Sequence, residues 1–426
     1  MNAEDKRIKF GIVGTGGIFY GWGDGSGHLP ACPWVADEAR LAAICDLSAG
    51  SLGKAAAAVR RLYAEKAAVH KTEGNEELAS LLLADAENLK THTSLEEMLK
   101  AERLDFVDII TPCEHHAAGV RQALAAGCHI LCEKPLAKTW LDAEEMAKAV
   151  EKSGKILLYG ENLIYADPYH DIGKLIRKGE IGELEALWIP FSISEPGNYS
   201  YAKGGVGALL DNGIHAITLA WFLVGFDYVP KRVKSLAPDG VSSRIGRRLV
   251  DGVERTLNVE DYASFVVEFE NPASGQWVNA YLEASWSFGD AGAFRVVGSK
   301  GEIRIKDGKP LVEDQFGNTR ARELFHPAFL NMRMPPGYGG HPQQVKAMVR
   351  LVKAAAAPAC DVKIGSESMA IAQAVYLSEA RGRKAVSIAE FKEYAKGFAG
   401  KPDALLAELL EKGIQRRDAT ERSGSI

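Results

Sequence analysis

The feature that most restricts this chain is an alternation in its first 155 or so residues, where short apolar runs stop at a turn and give way to helix-like sequence. Residues 8–13 run into Gly14-Thr15-Gly16-Gly17, and residues 41–45 are closed by Asp46, with an alanine-rich stretch after Ser48. Residues 106–110 end at Thr111-Pro112, and residues 129–132 lead into Glu133-Lys134-Pro135. Short apolar strands alternating with helices predict an α/β fold with a doubly wound parallel sheet.

Beyond Asn162 the pattern changes. One helix over 171–178 is followed by strand-like segments at 263–270, 277–286 and 294–297, which predicts a mainly antiparallel sheet with helices on one side. Helices at 341–355 and 366–380 are expected to close this second domain, and an amphipathic helix at 404–410 to precede a loose polar tail, 416–426. The expected domains are thus 1–160, 161–395 and a helical extension with tail, 396–426. Two stretches, 20–37 (rich in Gly, Trp and Pro) and 71–93, read as insertions that lengthen loops of the first domain. Trp22 and Trp34 in the first of these suit either a cover over a cleft or local packing.

With 426 residues the chain has room for two cores. Its net charge of −5 argues against a nucleic-acid partner, since no basic excess is available to neutralise phosphates. No apolar run approaches the length of a membrane span, and residues 1–9 lack the layout of a signal sequence, so a cytoplasmic location is expected. The six cysteines, Cys32, Cys45, Cys113, Cys128, Cys132 and Cys360, show no zinc-site spacing, and reduced buried thiols without a metal are expected.

Gly14-x-Gly16 after a strand has the place of a dinucleotide-binding turn, where glycines bring backbone N–H groups up to a pyrophosphate. Phe19 stands where the third glycine of the full fingerprint would be, so the following helix must sit differently or the loop must differ. Asp46, at the end of the second strand, is placed to accept hydrogen bonds from ribose hydroxyls and to repel a 2′-phosphate, which favours NAD over NADP. In the second half, Gly204-Gly205 precedes Asp211, Asn212 and His215. If Asp211 and His215 share a helix they lie one turn apart on one face, and a carboxylate that orients an imidazole keeps it ready to take a hydroxyl proton.

The run from Asp105 to Thr111-Pro112, then His116, then Ala125-Ala126-Gly127-Cys128 through Glu133-Lys134-Pro135-Leu136, resembles the cofactor-domain signature of the Gfo/Idh/MocA oxidoreductase family. The Gly-Gly, Asp and His pattern at 204–215 fits the second domain of that family, and segments at 174–184 and 297–303 match in order. The resemblance covers roughly 7–388. It departs at the 20–37 loop, at Phe19, at Cys113 where Asn is common, and after about Lys396. It implies a catalytic group of Lys134, Asp211 and His215. Cofactor contacts are implied at Gly14, Thr15, Gly16, Gly17, Ile18, Asp46, Thr111, Pro112, His116, Glu133, Lys134 and Asn162.

The resemblance further implies an NAD-dependent oxidoreductase acting on a secondary alcohol of a sugar or polyol. His215, oriented by Asp211, would take the hydroxyl proton, and Lys134 would hydrogen-bond the same oxygen. Lys134, Tyr165, Asn212 and His215 are the expected substrate contacts, with Tyr169, Asn198, Tyr199 and His341 as weaker candidates. Some relatives of this kind are glycosidases that oxidise transiently, eliminate and re-reduce, and the same residues serve that reading. A non-catalytic nucleotide-binding protein is a third reading, from another class. Homo-oligomerisation through the outer face of the second sheet is also implied by the resemblance.

Overall fold

The computed structural model describes residues 5–21, 25–192, 204–250, 252–287, 292–322 and 339–416. These form two compact units, one of residues 5–136, 145–167 and 339–362, the other of 137–144, 168–322 and 363–416.

The first unit holds six strands, β1 (Ile8–Val13), β2 (Ala39–Cys45), β3 (Lys90–His92), β4 (Phe106–Ile109), β5 (His129–Glu133) and β6 (Leu157–Gly160). They pair throughout in parallel in the order β3-β2-β1-β4-β5-β6. The order reverses between β1 and β4, which makes the carboxyl ends of these two strands the topological switch point where open α/β sheets take their ligands. Phe10 of β1 lies in register with both Leu41 and Phe106, and the Phe10 and Phe106 rings stack at 4.9 Å. Burial of every β4 residue and of the last four of β1 explains why these strands read as mostly apolar runs, interrupted in β4 by the buried Asp108.

Helices of this part of the chain are α1 (Gly17–Tyr20), α2 (His28–Ala31), α3 (Ala49–Thr72), α4 (Glu76–Asn88), α5 (Leu95–Ala101), α6 (His116–Ala125) and α7 (Trp140–Ser153). The 20–37 stretch is not a free loop. A Cβ on Gly21 would fall 1.7 Å from the Ser26 carbonyl oxygen and one on Gly27 2.6 Å from the Gly21 nitrogen, so the backbone leaves α1 and returns to start α2 at nearly the same place. Only glycine permits that approach, and both adopt positive φ, +72° and +101°. Leu29, Ala31, Cys32, Val35 and Ala36 then enter the core beside Phe19. Local packing therefore accounts for Trp34, whose ring lies under the Lys66 ammonium at 5.8 Å, while Trp22 falls outside the described residues. The 71–93 stretch is the end of α3, all of α4 and β3.

The second unit contains α8 (Tyr169–Arg177), β7 (Leu184–Ser192), α9 (Ile214–Val224), β8 (Val229–Ser235), β9 (Val241–Ser243), β10 (Arg247–Val250), β11 (Val253–Thr256), β12 (Tyr262–Glu270), β13 (Trp277–Ser285), β14 (Arg295–Gly298), β15 (Gly301–Lys306), β16 (Lys309–Asp314) and β17 (Thr319–Ala321). The strand order is β17-β16-β15-β14-β7-β13-β12-β8-β18, with β18 at Val386–Ser387. All neighbours on this path are antiparallel except β7 and β13. Val278, Ala280, Leu282 and Ala284 of β13 point into the core, alternating with the half-buried Asn279, Tyr281 and Glu283. Helix α9, apolar all round, is buried except at Phe222. On the opposite, half-exposed face Trp188 stacks on Tyr281 at 5.1 Å with the Arg295 guanidinium over Trp188.

After 339 the chain carries α10 (His341–Ala354), α11 (Val362–Ala380), α12 (Ile388–Lys396) and α13 (Pro402–Lys412), and its last described strand is β19 (Gln415–Arg416), which pairs with β9. Two expectations about domain limits need correcting. Helix α10 belongs to the first unit, because Val345, Met348 and Val349 complete its core and Lys353 pairs with Glu38 at 2.8 Å. Helix α13 is no separate extension: Leu405, Leu406 and Leu409 are buried in the second unit, and Leu410 packs on Ala208, Leu257, Val259 and Trp286. The polar tail beyond 416 lies outside the described residues. All six cysteines are buried and outside any disulfide, and no described helix is long and apolar enough to cross a membrane.

Candidate functional site

The glycine turn closes β1. Gly14 takes φ +103° and donates its N–H to the Cys45 carbonyl at 2.8 Å, and a Cβ there would press on the Ile110 carbonyl at 3.0 Å. Thr15 is buried, and both its N–H and its hydroxyl donate to one Asp46 oxygen, at 2.9 and 2.8 Å. The other Asp46 oxygen accepts the Ser48 N–H at 2.9 Å. Three donors on a carboxylate with about four acceptor positions leave room for one more. Gly16 and Gly17 are exposed, and a Cβ on either would meet no atom within 4 Å, so this part of the turn is bare backbone facing open space. Helix α1 spans a single turn; Ile18 is half-buried and Phe19 fully buried. The missing third glycine therefore reflects a helix interrupted after four residues.

Thr111 and Pro112 follow β4 at the same carboxyl edge. His116, expected to face a cofactor, is 1% exposed with its ring nitrogens toward the Thr111 carbonyl (2.8 Å) and the Leu136 carbonyl (3.2 Å). It ties the chain after β4 to the chain after β5, and burial holds its pKa below the ordinary imidazole value.

Glu133 ends β5 and Lys134 follows it, half-buried. The Glu133 carboxylate accepts the Lys134 N–H at 3.0 Å through one oxygen and faces His28 Nε2 at 3.0 Å through the other. His28 Nδ1 lies 2.6 Å from Asp108 Oδ2. Exposures of 0%, 1% and 5% for His28, Asp108 and Glu133 place this triad in the interior. Burial opposes charge on both His28 and Glu133, yet it is outweighed: the Asp108 carboxylate, with Glu133 second, raises His28 to about 10, and the His28 ring lowers Glu133 to about 2. His341 stands edge-on to His28 at 5.2 Å, and His28, Glu133 and His341 each bring a ligand-type atom within 4.8 Å of the others.

Asn162 and Tyr165 share a short 3-10 turn after β6. The Asn162 amide donates to the Gly339 carbonyl, at the point where the chain returns to start α10 with His341. Tyr165 is half-buried and burial raises its hydroxyl pKa. Asn162, Tyr165 and His341 thus lie in the first unit rather than the second.

In the second unit the segment bearing the predicted pair opens as a π turn, Leu209–Gly213, and continues as α9. Asp211 lies in the π turn and His215 in the α-helix, 8% and 7% exposed. Asp211 accepts the Trp286 indole N–H at 3.1 Å, Asn212 donates to the Ser285 carbonyl at 3.2 Å, and the His215 ring packs against Phe191 at 5.0 Å. Glu260 anchors the start of the turn, accepting the Leu209 N–H at 2.9 Å and the Tyr376 hydroxyl at 2.8 Å. Tyr169 opens α8 and packs on Phe294; Asn198 and Tyr199 fall outside the described residues.

Sequence reading misses His28, Asp108, Trp286 and Glu260. His28 sits in a glycine-rich stretch with no periodicity, 80 and 105 residues from its partners, and Asp108 looks like a polar interruption of a strand. An ionisable residue inside an otherwise apolar parallel strand is the one signal that calls for a buried partner.

Comparison with known proteins agrees with these two halves. Residues 8–161 match the family model described as "Oxidoreductase family, NAD-binding Rossmann fold", and residues 169–304 match the "GFO/IDH/MocA C-terminal domain". The chain is 30% identical to D-apiose dehydrogenase of Paraburkholderia graminis over 52% of its own length and 50% of that protein. It thus spans about half the length of that relative. It is 27% identical to inositol 2-dehydrogenase of Rhizobium meliloti over 90% of this chain and 99% of that one. In fold it is similar to an oxidoreductase domain protein from Kribbella flavida, with a TM-score of 0.70 at 22% identity, covering 90% of this chain and 99% of that one.

Proposed function

This chain belongs to the Gfo/Idh/MocA oxidoreductase family, and on that membership we propose that it is an NAD-dependent oxidoreductase acting on a secondary alcohol of a sugar, sugar derivative or cyclic polyol. The observation that carries the reading is the placement of Lys134 at the carboxyl end of β5, two strands from the glycine turn that ends β1.

The residues of the turn suit a dinucleotide. Gly16 and Gly17 leave open space where side chains would stand, and backbone N–H groups there suit a pyrophosphate. Gly14, Thr15 and Ile18 shape this turn, and Asp46, with acceptor capacity left, suits ribose hydroxyls and disfavours a 2′-phosphate, which selects NAD. Thr111, Pro112, Glu133 and Asn162 complete the proposed cofactor contacts, with His116 holding two of the loops in place. The nicotinamide, when bound, accepts or returns the hydride.

His215 takes the hydroxyl proton, Asp211 orients it, and Lys134 hydrogen-bonds the reacting oxygen, whose developing negative charge an ammonium stabilises. Asn212 and Tyr165 are the further substrate contacts. The names of the relatives, D-apiose and inositol dehydrogenases, support a polyhydroxylated substrate. Homo-oligomerisation through the sheet face that carries Trp188, Tyr281 and Arg295 is proposed with it.

The test is to purify the protein, identify any nucleotide retained, and follow NADH formation by absorbance across a panel of sugars and polyols. Turnover is expected with NAD, falling by about 10²–10⁴ in Lys134→Ala and in His215→Ala. Retained NAD with glycoside cleavage and no net NADH would replace this reading with the redox-assisted glycosidase. Absence of nucleotide binding would refute both.

A further inference from the structure

We propose that His28 is a positioning residue: a doubly protonated imidazole locked between Asp108 and Glu133, which fixes the Glu133 carboxylate and through it the main chain at Lys134. The functional part of this inference rests on the role proposed for Lys134.

Ionised carboxylates only accept hydrogen bonds, and a neutral imidazole has one N–H to give. His28 presents one ring nitrogen to Asp108 at 2.6 Å and the other to Glu133 at 3.0 Å, and with all three groups buried no water can serve the side left over. A ring protonated on both nitrogens satisfies both contacts, and its rise to about 10 agrees. The alternative, a proton on Asp108, is what burial of that carboxyl favours and His28 opposes.

Charge and connectivity point the same way. Asp108 comes from β4, Glu133 and Lys134 from the end of β5, His341 from α10, and Cys32 lies one turn beyond His28 with its thiol donating to the His28 carbonyl at 3.2 Å. Burial keeps the Cys32 thiol protonated. Two carboxylates are then balanced by His28 and the adjacent lysine. Because Glu133 is held at both oxygens, by the ring on one side and the Lys134 N–H on the other, its side chain has no freedom to swing and the residue after it inherits that fixity. A divalent cation on His28, Glu133 and His341 is the competing occupant. Direct contacts from both His28 nitrogens to carboxylates favour the proton-based clamp.

The experiment uses the full chain with ¹⁵N-labelled histidine. One histidine is expected to keep both ring nitrogens protonated at about pH 8.5, two units above ordinary imidazole, and its signal to vanish in His28→Gln. All histidines neutral at that pH, or about one equivalent of bound divalent metal lost in His28→Gln, would overturn the clamp. In His28→Gln, kcat is expected to fall about tenfold to a hundredfold. Loss of a nearby cation should also raise the basic limb of the pH–rate profile by about one unit, which a purely structural role would not do. A folded His28→Gln protein with wild-type kcat and profile would refute the positioning role. If that variant does not fold, the spectrum of the unaltered protein still decides the protonation. A protonated ring in a protein that forms no NADH would sink the proposed function and leave the clamp; NADH formation with a neutral ring would do the reverse.

Discussion

Glu260 shows what a single buried carboxyl can impose. One of its oxygens holds the Leu209 N–H and the Tyr376 hydroxyl, while burial outweighs these bonds and raises its pKa to about 7. In the folded chain it keeps a proton that the unfolded chain releases above about pH 4.5, so stability falls as pH rises from there toward 7. Glu260→Gln retains the acceptor and removes the charge. Thermal melts are therefore expected to match the parent near pH 4 and to exceed it near pH 8, by about 1–2 kcal/mol. The His28–Glu133 pair has two signs of its own. The His28 contribution is complete below about 6.5 and lost as pH rises through about 10; that of Glu133 is complete above about 4.5 and lost as pH falls toward 2. Residues of this kind were the least legible in the sequence. Lys134, Asp211 and His215 stand in recognisable motifs, whereas Glu260 and His28 acquire meaning only from partners such as Tyr376 and Glu133, which the fold brings up from more than a hundred residues away.

At the scale of elements, the π turn at Leu209–Gly213 departs from the regular helix expected around Asp211. Its entry is tight: a Cβ on Gly207 would lie 2.3 Å from the Glu260 carboxyl. Gly207→Ala is expected to cost about 1–3 kcal/mol, read as a lowered denaturant midpoint. Turnover should fall as well, because Asp211 donates its own N–H to the Gly207 carbonyl at 2.9 Å. Strands β1, β2, β4 and β5 are legible because two-sided burial leaves a mostly apolar run, and the order of the large sheet is not, because pairing between distant strands writes no local pattern. The amphipathic stretch at α10 announced a helix without saying which core it would join, since Val345, Met348 and Val349 suit any apolar surface. The 20–37 stretch misled for a related reason: its glycines signal a loop, and only the contact between Gly21 and Gly27 shows that the chain resumes its course.

For the molecule as a whole, the last described helix matters to the chemistry proposed here. Leu410 of α13 packs against the cluster of Ala208, Leu257, Val259 and Trp286, and the Trp286 indole N–H binds Asp211. A chain ended at Lys401 is expected to bind NAD as the full chain does, measured by calorimetric titration, and to lose about tenfold or more in turnover through loosened support for Asp211. Loss of nucleotide binding along with turnover would instead mean that the truncation spoils the fold generally. The first unit, too, draws on late sequence. Its core is unfinished until residues 345–349 arrive, some 180 residues after its last strand. At roughly 5–20 residues per second, a nascent chain waits on the order of 10–40 seconds with the apolar groove around Leu29 and Val35 uncovered. During translation this protein therefore presents a sticky half-built nucleotide domain, and chaperone demand should peak before residues 345–349 emerge rather than after.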